Sequence, residues 1–354
     1  MTLQREGTRE FFKSLVLNMR REMSPEVRAR KKTLRVPAKW RYPHRIEREY
    51  YRYIRDLMLE FRGPTINVIG ENLKRWLVET DFSDGDIFDA YDEEFDALIG
   101  NLRQRQNTLF VDNEAEIKGN VFQVGAEVNT FNAKQWERVT SVAVGTPFSI
   151  DSGWVPGLLR NWTDMNYTLI RSLSDEYIKK VNTIVAEGVQ QGSLYTTIMK
   201  DLRKMDKNMT RDRSELIARD QVGKLNGSLT EGRLLDAGVP EYIWSTALDE
   251  RVRAAHRQMN GSRNKWGDRT VYIPRGGSKY IKRSGSMQGA IPGSQVQCRC
   301  TALAAFDDIV KDVDELIEKE EAERPELAFG GPISETRSQK RRRRKGRIKP
   351  PRID

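Results

Sequence analysis

Apolar residues recur every three or four positions along most of this chain, which predicts a largely helical protein. Tyr50, Tyr53, Ile54, Leu57 and Phe61 form one such stripe, and Gly63-Pro64 is expected to close that helix. Val68, Leu73, Trp76 and Leu77 suggest a second helix. Ser83-Asp84-Gly85-Asp86 reads as a turn, with Ser83 or Asp86 able to cap a third helix through Phe88, Tyr91, Phe95 and Leu98. A further helix is expected from Glu114 to Phe131. The turn-rich segment from Thr146 to Gly153 reads as a boundary. After it, Ile170, Leu173, Tyr177, Val181, Ile184 and Val185 make a clean stripe that Gly188 ends.

Ser193 is placed to cap a short helix through Ile198 and Leu202, and a long helix follows from about Arg213 to Leu235. Ala218, Val222, Leu225 and Leu229 mark its buried face. It also carries Gly223, Gly227 and Gly232, each costing about 1 kcal/mol against alanine in a helix interior. That load predicts close approach of another element, or a bend.

The period then changes. Tyr242 to Ala247, Thr270 to Ile273 and Gln297 to Leu303 read as strands. Residues 275–295 hold five glycines and six Lys, Arg or Gln, and are expected to form a long mobile loop. Ile309, Val313, Leu316 and Ile317 predict a last amphipathic helix, and disorder is expected beyond Arg324-Pro325. The fold class is mostly α with a small β element (α+β).

Charge sharpens this picture at the ends. The 354 residues carry a net charge of +10, but residues 1–55 hold 16 Lys/Arg against 6 Asp/Glu and residues 337–354 hold 10 against 1. The body between them is therefore acidic. Basic ends on an acidic body are the usual footprint of polyanion contact. Lys340, Arg341, Arg342, Arg343, Arg344 and Lys345, with Arg347 and Lys349, are the candidate DNA contacts; a solubility or localisation tail is the plainer alternative. Residues 1–43, broken by Pro25, Pro37 and Pro43, are expected to be a mobile or partner-ordered arm with one helix near Phe11 to Met19. Trp40 and Tyr42 there can stack on bases or dock on a protein partner. Two cysteines and no apolar leader argue against secretion, and no run approaches the roughly 18 apolar residues of a membrane span.

One stretch, Asp249 to Cys300, holds one of the two histidines and both cysteines. On a helix, Asp249, Arg253 and His256 share a face; on a strand, Cys298 and Cys300 point one way and Arg299 the other. A disulfide between residues two apart would be strained. His256, Cys298 and Cys300 can bind zinc, with Asp249 as a fourth ligand. Alternatively, the two thiols pack in a core beside a buried network of Asp249, Arg251 or Arg253, and His256. A third reading makes a thiol the nucleophile with His256 as base, and a fourth gathers Asp249, His256 and the arginines around a phosphate as a nuclease. Walker, dinucleotide-binding and zinc-protease motifs are absent from the sequence.

The pattern Asp249-x-Arg251-x-Arg253-x-x-His256, then Gly261, Pro292 and Cys298-Arg299-Cys300, resembles the Mu F-like minor head protein family of tailed bacteriophages. Leu169-Ile170-Arg171-Ser172, Glu187-Gly188, Ile217-Ala218-Arg219, Asn226, Gly238-Val239 and Tyr242-x-Trp244 resemble it in the same order, over roughly residues 145 to 306. The family usually has Arg-Thr-Glu where this chain has Arg219-Asp220-Gln221, which puts a carboxylate role at 221 in doubt. Beside the basic arm (1–43), helical N-terminal domain (44–144), amphipathic helix (307–324) and disordered basic tail (325–354) that charge and periodicity mark out, the resemblance implies a Mu F-like domain (145–306). It implies that Arg219 and Asn226 point at the Asp249–Cys300 site and hold its loops. It also implies a structural virion protein rather than an enzyme, placed inside the head near the portal after assembly in the host cytoplasm. The partners it implies are portal, capsid or scaffolding proteins and double-stranded DNA, with no membrane during assembly. A virion-carried nuclease or toxin-like enzyme is the competing expectation. In this family enzymatic activity usually sits in an extra domain after the Cys-Arg-Cys segment, where here about fifty residues follow.

Overall fold

The computed structural model describes residues 2–37, 40–79, 87–150 and 152–324. The expected turn at 83–86, the side chains of Phe88 and Tyr91, and the basic tail at 325–354 lie outside the described residues. In chain order the helices are α1 (Thr2–Arg21), α2 (Pro25–Arg30), α3 (His44–Lys74), α4 (Ile87–Phe110), α5 (Glu114–Val144), α6 (Val155–Gln190) and α7 (Tyr195–Asp236). Then come β1 (Glu241–Ser245), α8 (Ala254–Met259), β2 (Arg263–Lys265), β3 (Val271–Ile273), β4 (Ile281–Lys282), β5 (Thr301–Ala304) and α9 (Asp307–Glu323). The mostly α fold with a small β element is what the periodicity predicts.

Two apolar clusters hold the chain together. The first joins α3 to α7 through residues such as Tyr50, Ile54, Phe61, Val121, Tyr177, Leu202 and Leu225. The second joins the sheet to α1, α9 and the ends of α5 and α7, with Phe12, Trp136, Leu234, Tyr242, Trp244 and Phe306 at its centre. Helices α5 and α7 serve both clusters, so the apolar packing does not divide the chain at residue 145.

Gly63-Pro64 does not close its helix. α3 runs on to Lys74, continued by a π-helical turn over Arg75–Glu79. An internal proline costs about 3 kcal/mol. Beyond it, Ile69 and Leu73 are completely buried, and each contributes about 1.5–3 kcal/mol by leaving water. The Thr65 hydroxyl also donates to the Phe61 carbonyl at 2.9 Å, next to the position where Pro64 has no N–H to offer. Likewise the two helices expected around 193–235 are one. Met209, Thr210 and Ser214 are buried across the expected break, and Leu194 rather than Ser193 stands at the N-cap.

The N-terminal segment is not a mobile arm. α1 inserts Phe12 and Val16 into the second cluster and lies against α9. Arg20, 1% exposed, makes a two-pronged contact with Asp314 at 2.5 Å. Arg28 of α2 donates through Nη2 to both carboxylate oxygens of Glu321, at 2.8 and 2.9 Å. α9 carries nine carboxylates against two lysines, and three of them answer Arg20, Arg21 and Arg28 of the arm. Trp40 is buried in the same cluster, and the Tyr42 hydroxyl donates to the Arg219 carbonyl at 3.2 Å.

The sheet is antiparallel throughout, in the order β4-β3-β2-β1-β5. The loop expected to be mobile at 275–295 is ordered. It contributes β4, a 3-10 turn at Gly285–Met287, and buried Met287, Ala290 and Ile291. Arg283, 3% exposed, organises it. Its guanidinium donates to the Ala290 carbonyl, to Asn264 Oδ1 at 2.8 Å and to the Tyr242 hydroxyl at 3.2 Å.

Candidate functional site

The register of two strands assembles the site. β1 pairs with β5 so that Ser245 lies opposite Thr301. The residues that leave β1 and those that enter β5 therefore emerge side by side. Leu248 turns the chain with φ of 59°, and a helical turn at Asp249–Val252 leads into α8. On the other side, Gln297 with φ of 57° swings Cys298-Arg299-Cys300 into line with β5. Among the described residues these are the two non-glycine positions with left-handed backbone. Such conformations store about 1–3 kcal/mol and concentrate at functional sites.

α8 is too short to carry Asp249, which stands in the turn before it. His256 lies on the buried face of α8, edge-on to Trp244 with ring centroids 5.6 Å apart. Its Nδ1 is 3.4 Å from Cys298 Sγ and 3.5 Å from Cys300 Sγ, and its Nε2 is 2.5 Å from Gln295 Oε1. All three side chains are buried, and both cysteines are free. Arg299 turns away from the thiols and donates to Asp249 at 2.6 Å. The second carboxylate oxygen of Asp249 accepts from the Arg251 backbone N–H at 3.2 Å. Asp249 is thus committed to Arg299 and its own turn, and the ligand atoms that cluster within 4.8 Å are those of His256, Cys298 and Cys300.

Hydrogen bonds from Cys300 and then His256, outweighing burial, hold the Cys298 thiol well below its ordinary range. Cys300 moves the other way, pushed up by its bond to Cys298, by burial and by the neighbouring thiolate charge. The bond to Cys298 raises His256. Beside the cluster lies a cavity of about 210 Å³ rimmed by Arg219, Arg251, Arg253 and Arg299, with His256 and both cysteines in its wall. Arg253 also donates to the Val296 carbonyl at 2.7 Å, tying α8 to the opposite loop.

α7 forms the platform beneath. Pro292-Gly293 and Cys298 lie directly on its glycines. A Cβ at Gly227 would stand 2.5 Å from the Pro292 carbonyl oxygen, and one at Gly223 would stand 2.9 Å from that of Cys298. This is the close approach predicted by the glycine load. Arg219 does reach the site: it is paired with Glu47 and Glu215 and donates to Gln297 Oε1 at 3.4 Å. Asn226 turns elsewhere, with its Oδ1 accepting from Asn132 of α5 at 3.0 Å. Gln221 is buried and its Nε2 donates to Asp220 at 2.9 Å.

Residues 179–303 match the family model described as Phage Mu protein F like protein. This segment is a Mu F-like domain. It contains α7, the sheet except Ala304, and every residue of the His256/Cys298/Cys300 cluster. Among curated proteins, an uncharacterized protein of Haemophilus influenzae is 31% identical over 143 residues, covering 40% of this chain and 28% of that protein. An uncharacterized protein of Methanocaldococcus jannaschii is 28% identical over 158 residues, covering 45% of this chain and 22% of its own length. The chain thus spans less than a third of either relative. No solved structure matches.

Two contributors escaped sequence reasoning. Gln295 and Arg283 are ordinary polar residues in a glycine-rich stretch. Only the fold reveals that one holds His256 and the other holds the loop carrying it.

Proposed function

We propose that this chain is a minor head protein of a tailed bacteriophage that acts in head morphogenesis. In this reading it sits inside the head, associated with the portal, and contributes to DNA packaging or ejection. The observation that carries the proposal is the Mu F-like match over residues 179–303, which encloses a complete, internally bonded site. No helix among the described residues is long and apolar enough to cross a membrane.

DNA contact falls chiefly to Lys340, Arg341, Arg342, Arg343, Arg344, Lys345, Arg347 and Lys349, because Arg20 and Arg28 at the other end are engaged with Asp314 and Glu321. The Asp249–Cys300 site serves as scaffold in this reading. His256 is 3% exposed, its Nε2 is held by Gln295 and its Nδ1 faces the two sulfurs, which leaves no ring nitrogen open to a substrate. A general base must reach the proton it abstracts.

Mass spectrometry of purified DNA-free proheads and of isolated portal complexes tests this. The chain is expected in both, at low copy. Its absence from both, with recovery only from the soluble lysate, overturns the proposal.

A further inference from the structure

We propose that His256 Nδ1, Cys298 Sγ and Cys300 Sγ bind one zinc-class divalent ion, whose fourth position opens into the arginine-rimmed cavity. Tetrahedral zinc with Zn–N near 2.05 Å and Zn–S near 2.3 Å places nitrogen and sulfur about 3.6 Å apart. The two observed separations are 3.4 and 3.5 Å, to the same nitrogen. As hydrogen bonds they oversubscribe that atom, because a ring nitrogen has either one proton or one lone pair to offer. A metal ion between the three atoms satisfies all of them.

The tautomer agrees. Gln295 Nε2 donates to the Ser286 carbonyl at 2.7 Å, so the amide presents its oxygen to His256. Nε2 of the ring must then carry a proton, and in the neutral imidazole Nδ1 turns its lone pair toward both sulfurs. Metal-binding histidines are commonly oriented in this way by a partner on the remote nitrogen.

The Trp244 Nε1, in the ring that stands edge-on to His256, is buried without a hydrogen-bond partner. A divalent cation held by both sulfurs would neutralise them as ligands in this buried site. The ion would bind α8 to the strand entrance at Cys298–Cys300 and present its open position to Arg219, Arg251, Arg253 and Arg299, where water or an anion can complete the shell.

The test is elemental analysis of the full-length chain dialysed after exposure to zinc alone, followed by cobalt(II) substitution. About one ion per chain and thiolate-to-cobalt charge-transfer absorption are expected for this donor set. Cys298→Ser should abolish the absorption. Gln295→Leu leaves every ligand in place and should weaken zinc affinity 10–100-fold, roughly the effect of losing such an outer partner. A native-like chain that retains no zinc overturns the proposal. So does bound metal whose affinity is unchanged in both variants, because the ion would then lie elsewhere.

Discussion

Replacing Gly227 by alanine separates the structural account from simple helix propensity. Gly227 lies inside α7, where alanine would ordinarily stabilise by about 0.8–1.0 kcal/mol. Here the new Cβ would meet the Pro292 carbonyl oxygen at 2.5 Å and Gly293 Cα at 3.7 Å. Both are backbone atoms, so no side chain can rotate away. The same loop is also pinned at Gly293, where a Cβ would meet the Gly223 carbonyl oxygen at 2.6 Å. Overpacking costs about 1–3 kcal/mol, and a backbone-on-backbone clash belongs at the upper end. The expected net effect is therefore a loss of about 2 kcal/mol. Gly119 supplies the control: it lies inside α5 with nothing within 4 Å of its Cβ position. Gly119→Ala should stabilise by about 1 kcal/mol. Urea unfolding of both variants at unchanged m-value gives the comparison. If Gly227→Ala stabilises as much as Gly119→Ala, the loop does not rest on α7 and the platform description is wrong.

Asp314→Ala leaves Arg20 buried without its carboxylate and should cost about 3 kcal/mol in urea unfolding; no measurable loss would mean that α1 is not docked on α9. Deleting residues 337–354 should weaken binding to duplex DNA and lower the slope of log K against log salt by about 0.9 for each phosphate that the tail neutralises, whereas an unchanged slope would assign DNA binding to another part of the chain. Hydrogen bonds from the Thr270 hydroxyl and backbone depress the Asp268 carboxyl, so the turn's contribution is complete above the ordinary carboxylate range and fades as pH falls through the lowered value. Thr270→Val should bring Asp268 back up toward its ordinary pKa in an NMR titration, and an unmoved midpoint would refute the assignment. Cys298 and Cys300, 4% and 6% exposed, should react with a thiol reagent only on unfolding; fast reaction of the native chain would reopen the nucleophile reading.

How much of this was legible in the sequence depends on whether the deciding interaction was local. The stripe from Ile170 to Val185 marks α6 because helical periodicity is local, and the glycines of α7 announced a close neighbour without saying which. Rarity of residue type drew attention to His256, Cys298 and Cys300. The continuation of α3 past Pro64 was not legible, because tertiary burial of Ile69 and Leu73 outweighs a local breaker. Nor was the docking of α1, since Asp314 lies 294 residues from Arg20. Short strands β2 and β4, three and two residues long, carry too few positions to show a period. Leu248 and Gln297 take left-handed backbone with no glycine or asparagine to signal it.

The proposed placement inside the head is tested most directly by quantitative mass spectrometry of intact heads before and after external protease. The account predicts peptides from this chain in washed heads, far below the shell protein in amount and unchanged by protease. Loss of those peptides on protease treatment, or their absence from washed heads, would contradict it.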